Sequence, residues 1–137
     1  MAVTGWKRRA LWVAAVTGAL LAVVVGRVVL SSRAEYLAAH EAEARALKLS
    51  DPMRRREGLT DAITHYRRAA RWYAPGNAYV TRSLTRLQAI GRLAEQQGDA
   101  ATALAAYRAV RRAVLGARSF YTPHSDRFRA VNQRFAA

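Results

Sequence analysis

The chain of 137 residues contains no cysteine. That excludes a disulfide framework, a thiolate metal site and a cysteine nucleophile. It leaves the redox compartment open, because a chain without cysteine is at ease on either side of a membrane. Lysine is confined to Lys7 and Lys48, and acidic residues are scarce: 9 Asp+Glu stand against 23 Lys+Arg, for a formal charge of +14. The carboxylates are scattered, so no pair presents itself for acid–base work. The histidines are His40, His65 and His124. His40-Glu41-x-Glu43 lacks a second histidine at i+4 and so is not a metalloprotease motif. There is no glycine-rich phosphate loop and no Gly-x-Ser-x-Gly elbow. No segment alternates with the period of a half-buried strand. The expectation is an all-α chain with no catalytic, metal-binding or cofactor-binding residue and no cofactor. An enzyme assembled from side chains distant in sequence remains a third reading.

What the sequence does have is one long apolar run. Residues 10–30 read ALWVAAVTGALLAVVVGRVVL, with Arg27 the one charge. About twenty residues at about 1.5 Å each span about 30 Å, the thickness of a bilayer's hydrocarbon core. Trp6 and Trp12 stand at one end as interfacial aromatics do, and Arg27 lies a turn from the other, where its stem can snorkel to the headgroups. A cleaved signal peptide is the competing reading, with Lys7-Arg8-Arg9 as its basic region. The run exceeds the roughly 7 to 15 residues of such peptides and ends in Val28-Val29-Leu30-Ser31, a poor cleavage site, so an uncleaved anchor is favoured. The basic cluster before the span, weighed against Arg33, Arg45 and Lys48 after it, places the N-terminus in the cytoplasm by a narrow margin. The expected location is a bacterial inner membrane, crossed once, with the C-terminal domain in the periplasm. Ala14, Gly18, Ala22 and Gly26 recur every four residues, a small-residue face on which another helix can approach closely in lipid. A chain rich in Ala and Gly can also produce that stripe from composition alone.

The remaining chain divides into helices. A tail over 1–9 and the span over 10–30 are followed by a connecting helix and turn over 31–57 and a helical domain over 58–137. The connecting helix starts at a Ser31 or Ser32 cap or continues unbroken from the span. Tyr36, Leu37, His40, Ala44 and Leu47 give it an approximate apolar stripe, and Ser50-Asp51-Pro52 breaks it. Met53 to Gly58, with Arg54-Arg55-Arg56, forms a turn or a short helical start. Thr60 begins an amphipathic helix with Ala62, Ile63, Tyr66, Ala69, Ala70 and Tyr73 on one side and Arg67, Arg68 and Arg71 on the other. Pro75-Gly76-Asn77 ends it. A second helix from Tyr79 turns Val80, Leu84, Leu87, Ile90, Gly91 and Ala94 inward. After Gly98-Asp99, with Asp99 as N-cap, a third turns Ala103, Leu104, Tyr107, Val110 and Val114 inward and uses Gly116 as its C′ residue. Thr122-Pro123 starts a last, capping helix with Phe128, Val131 and Phe135 at helical spacing. Between these two helices, Arg118 to His124 is an aromatic and polar cluster that plugs the end of the helical stack or binds a ligand.

The chain echoes itself at an offset of 41. Ala62-x3-Tyr66-Arg67 returns as Ala103-x3-Tyr107-Arg108, Ile63 as Leu104 and Arg71 as Arg112. Leu87-x2-Ile90-Gly91-x2-Ala94, followed by Gly98-Asp99, Ala103, Tyr107 and Val110, resembles a tetratricopeptide repeat: small Gly91 and Ala103 where two helices cross, and Tyr107 beside them. The earlier copy keeps Ala62, Tyr66, Ala69 and a late Pro75. The offset exceeds the family's period of about 34, and Leu87 and Ala94 stand where the family has a tryptophan and a tyrosine. The resemblance covers roughly residues 44 to 116 and implies a small domain of antiparallel helical hairpins that binds peptides or proteins, with Leu87, Gly91, Ala94, Ala103 and Tyr107 as its packing residues. An alanine-rich helical bundle of another kind is the alternative.

The leading functional expectation is a membrane-anchored, non-enzymatic interaction, accessory or assembly subunit of a larger bacterial membrane complex. Its partners are the lipid bilayer and other subunits, met through the span and the helical domain. Arg67, Arg68, Arg71, Arg108 and Arg112 are the candidate contacts for an acidic protein partner. A GC-rich genome would also favour arginine over lysine, although it accounts poorly for the shortage of Asp and Glu. The second expectation is a basic domain that binds nucleic acid or anionic lipid headgroups; a domain outside the cytoplasm would seldom meet nucleic acid.

Overall fold

The structure is a computed structural model that describes residues 3–71, 76–116 and 125–136. Among the described residues the secondary structure is entirely helical, without strands. The helices are α1 (Val3–Leu47), α2 (Pro52–Arg71), α3 (Ala78–Gln96), α4 (Ala100–Gly116) and α5 (Ser125–Ala136). The Arg118 to His124 cluster, Tyr73, Pro75 and the Thr122-Pro123 start lie outside the described residues.

The apolar run and the connecting helix are one element. α1 is unbroken from Val3 to Leu47, so Ser31 and Ser32 do not cap a new helix. Its N-terminal stretch is long and apolar enough to cross a membrane and is not buried by the rest of the chain. From Ser32 onward the same helix enters the hydrophobic core, which it lines with Ala39, Ala42 and Ala46.

The buried stripe of α1 is not the one that hydropathy points to. Leu37 and Leu47 are 53% and 44% exposed, and His40 and Ala44 are exposed with them. Ser32, Ala39, Ala42, Glu43 and Ala46 are buried instead, with Tyr36 packed against the core. The reason is the close approach of α2. A Cβ built on Gly58 would lie 2.7 Å from Ala46 Cβ and 3.3 Å from its Cα. At that crossing only small residues fit between the two backbones, so size selects the face rather than apolarity.

α2 begins at Pro52 rather than Thr60. Pro52 sits in the first turn of α2, where its missing N–H costs nothing. Asp51 Oδ1 accepts from the Met53 amide at 3.0 Å, and the Arg55 guanidinium donates twice to Leu49 O, at 2.7 and 3.0 Å. Arg54-Arg55-Arg56 is helical, and the segment over 31–57 holds the C-terminal part of α1 and the first six residues of α2.

The described residues expected inward on α2 and α3 are buried, and Leu59 joins them. Leu59, Ala62, Ile63, Tyr66, Ala69 and Ala70 are buried on α2, and Val80, Leu84, Leu87, Ile90, Gly91 and Ala94 on α3. Asn77 caps α3 by accepting from the Tyr79 amide at 3.1 Å. Gly98 (φ +72°) ends it: its amide donates to Glu95 O at 3.0 Å and that of Asp99 to Ala94 O at 2.9 Å, a Schellman turn that glycine's left-handed backbone permits. Asp99 then caps α4, accepting from the amide and hydroxyl of Thr102. Burial raises its carboxyl's pKa, but these bonds and the Arg56 guanidinium outweigh burial and hold it below the ordinary range. On α4, Ala103, Ala106, Tyr107, Ala109, Val110, Ala113 and Val114 are buried. Leu104, expected inward, is 36% exposed, because the buried stripe is set by the alanines on either side of Tyr107. Gly116 is the last helical residue of α4 rather than a left-handed C′ position. Val131 of α5 is fully buried.

Candidate functional site

Where α1 meets the other helices, polar groups are built into the packing. The Ser32 hydroxyl donates to Ala69 O at 3.0 Å and is buried. Glu35 Oε2 lies 2.7 Å from His65 Nδ1, whose other ring nitrogen lies 3.7 Å from Asp61 Oδ1. Tyr36 meets Tyr66 edge-on at 5.7 Å and Tyr79 at a tilt at 5.7 Å. Deeper, buried Glu43 joins three helices. Its Oε2 accepts from the Tyr66 hydroxyl at 2.7 Å and from Arg86 Nε at 3.2 Å, and Oε1 pairs with Arg86 Nη2. Burial, reinforced by the adjacent Glu43 carboxylate, pushes the Tyr66 hydroxyl's pKa well above the usual tyrosine range. The hydrogen bond to Glu43 raises that of Arg86 in turn. Tyr66 is therefore a fixed neutral donor, and Glu43 is a buried carboxylate whose charge is matched by one guanidinium.

The sequence pattern gives Glu43, Arg86 and Ser32 no role in joining the helices. Their partners are far away in the chain, and each side chain alone resembles any polar group on a helix. The one available signal was position: Glu43 falls among the small residues of α1 at helical spacing with Ala39 and Ala46.

The five residues that the resemblance assigns to packing, Leu87, Gly91, Ala94, Ala103 and Tyr107, are buried. A Cβ on Gly91 would lie 2.7 Å from Cε1 and 2.8 Å from Cζ of Tyr107, so the glycine is where the α4 tyrosine ring rests on α3.

The five candidate arginines divide. Arg67, Arg108 and Arg112 line one groove of about 240 Å³ between α2 and α4, floored by Ile63 and Ala109 and edged by Thr60 and Thr64. No carboxylate is among the groove's lining residues. Arg68 and Arg71 are exposed but do not line it. Equivalent arginines of the two echoing segments, Arg67 and Arg108, thus share one surface. On α1, Ala14, Gly18, Ala22 and Gly26 are exposed, and a Cβ added at Gly18 or Gly26 would meet nothing within 4 Å. Among the described residues, no three His, Cys, Asp or Glu side chains are placed to hold a metal ion.

No protein-family profile, curated protein or solved structure matches the chain. Its own geometry is therefore the basis for a functional reading.

Proposed function

We propose that the protein is a single-pass, membrane-anchored interaction subunit of a larger bacterial membrane complex, non-enzymatic, with α2 to α4 serving as a degenerate tetratricopeptide-like scaffold. One observation carries this reading: α1 is both the apolar membrane-length helix and, without a break, a wall of the domain's core. A flexible tether would leave the domain free to turn. A shared helix makes the domain's orientation a property of the anchor, which is what a subunit docking beside other membrane proteins requires. The close seating of Tyr107 on Gly91 supports the tetratricopeptide-like crossing.

In this reading the domain lies on the periplasmic side, as the Lys7-Arg8-Arg9 cluster before the span directs. A phosphatase fused after Ala137 is expected to be active outside the cytoplasm, and a fluorescent protein that folds only inside is expected to stay dark; the opposite pair of results reverses the orientation. The small-residue face of α1 is where a second helix would come closest. Gly18→Leu with Ala22→Leu should keep the chain in the membrane, since leucine is at least as apolar, while reducing the recovery of co-purifying membrane proteins severalfold when affinity-purified samples are quantified by mass spectrometry. Equal recovery with and without the two substitutions would refute a packing role for that face.

A further inference from the structure

Because α1 is one helix, everything packed on it has a fixed height above its apolar segment. The apolar run ends at Leu30, and at Ser32 the end of α2 is already bonded to α1. The pairs Ser32 with Ala69, Glu35 with His65 and Ala46 with Gly58 show that α2 runs back along α1. Its first turns therefore lie about 20 Å further out than its last, at about 1.5 Å per residue. α4 runs alongside α2 in the same direction. Arg56 bonds Asp99 at the outer end, and Thr64 and Arg67 share a groove with Arg108 and Arg112 towards the inner end. α3 runs with α1, as Tyr36 against Tyr79 and Glu43 against Arg86 show.

On this frame basic residues occur along the whole domain, while the carboxylates do not. Arg33, Arg67, Arg68, Arg71, Arg111 and Arg112 fall within about 5 Å of the Ser32 level along the helix axes. Among the described residues of α1 to α4, Glu35 is the one carboxylate at that height, and it is engaged by His65. Glu41, Asp51, Glu57, Asp61, Glu95 and Asp99 lie about 10 Å or more further out, as does buried Glu43. The outer end also carries paired charges, Arg54 with Asp51 and Arg56 with Asp99. Among the described residues of α1 to α4, the excess of basic over acidic groups is thus greatest at the end next to the apolar segment.

We infer that this inner end is a headgroup-binding surface: it takes the phosphates of anionic lipids in the leaflet from which α1 emerges and seats the domain on the bilayer. The inference rests on reading α1 as spanning the membrane. Guanidinium groups within about 10 Å of a charged surface lie within its Debye layer at ordinary ionic strength, and their planar forks match phosphate oxygens two at a time. Exposed Arg27, a turn inside the apolar run, reaches the same level by extending its stem outward. An acidic protein segment could be drawn to the same arginines. It would not account for the scarcity of carboxylates at the end that α1 turns towards the lipid, which is the end least open to a partner arriving from solution.

The test uses the full chain in nanodiscs of mixed phosphatidylcholine and phosphatidylglycerol, with spin-labelled versions of each lipid reporting which is motionally restricted by the protein. The expected preference for phosphatidylglycerol is about fivefold or more at about 0.1 M salt, the factor one basic residue at an anionic surface gives, and it should fall as salt is raised. Arg68→Gln, Arg111→Gln and Arg112→Gln together should at least halve the preference. The same three positions changed to lysine should keep most of it, and Arg45→Gln, Lys48→Gln and Arg92→Gln at the outer end should leave it unchanged. Equal restriction of the two lipids overturns the proposal, as does a preference insensitive to salt or to the inner substitutions. So does capture of an acidic protein through these arginines without any lipid preference. Should the glutamine variant fail to fold, the lysine variant and the salt series still decide. Extraction of the chain by alkaline carbonate would overturn the spanning reading itself, separately from the headgroup surface.

Discussion

Tyr66→Ala is expected to abolish the cooperative thermal unfolding of the domain. Tyr66 is wholly buried, its ring meets Tyr36 edge-on, and its hydroxyl holds Glu43. Truncating a buried aromatic costs about 3–5 kcal/mol, out of a total near 5–10 kcal/mol for a domain of this size. The loss also takes a hydrogen bond from a buried carboxylate, which adds to the penalty. Tyr66→Phe keeps the ring and loses only the bond, so it should cost about 1–3 kcal/mol and leave a visible transition at lower temperature. Circular dichroism melts of the full chain in mild detergent distinguish these outcomes, because the apolar part of α1 stays helical in the micelle while the domain unfolds. A Tyr66→Ala protein that melts within two or three degrees of the parent would show that the three-helix junction does not stabilise the domain.

The second large effect is a compensation between Gly91 and Tyr107. Tyr107→Ala removes a buried ring and is expected to cost about 3–5 kcal/mol. Gly91→Leu places bulk where the ring now rests and should cost about 1–3 kcal/mol by overpacking, partly offset by the better helix propensity of leucine. Combined, leucine at 91 occupies space the tyrosine has vacated. The double variant should therefore be more stable than the sum of the two losses, with an interaction of about 0.5–3 kcal/mol. Additive losses in denaturant melts would mean that the two residues do not share a space, and the proposed tetratricopeptide-like crossing would lose its support.

The elements that were legible in the sequence are those whose buried faces are large and apolar. Val80, Leu84, Leu87 and Ile90 on α3 and Tyr107, Val110 and Val114 on α4 recur at helical spacing, and each is buried. The face of α1 was not legible, because Ala39, Ala42 and Ala46 are selected for letting Gly58 come close rather than for hydropathy, which favours exposed Leu37 and Leu47. Pro52 has two opposite meanings, a stop for the helix before it and a first-turn residue for the helix after it, and only the second places Arg54 to Arg56 in α2. Of the candidate site, the repeat offset sets Arg67 against Arg108, and both line one groove. That Arg112 joins them while Arg68 and Arg71 do not line the same groove depends on how α2 and α4 are set side by side. The Glu43, Tyr66 and Arg86 junction depends on contacts between residues far apart in sequence, which a pattern read along one helix at a time cannot contain.

One rigid helix is expected to pass from the bilayer into the core of the domain. Since the chain has no cysteine of its own, Leu20→Cys and Ala44→Cys, both on exposed positions of α1, can carry nitroxide labels at two defined points. Pulsed electron–electron resonance on the full chain in nanodiscs measures the distance between them. An unbroken helix predicts a single narrow distribution centred at about 36 Å, from about 1.5 Å per residue. A broad distribution, or one centred well below that length, would show a hinge between the membrane segment and the domain and would contradict the account.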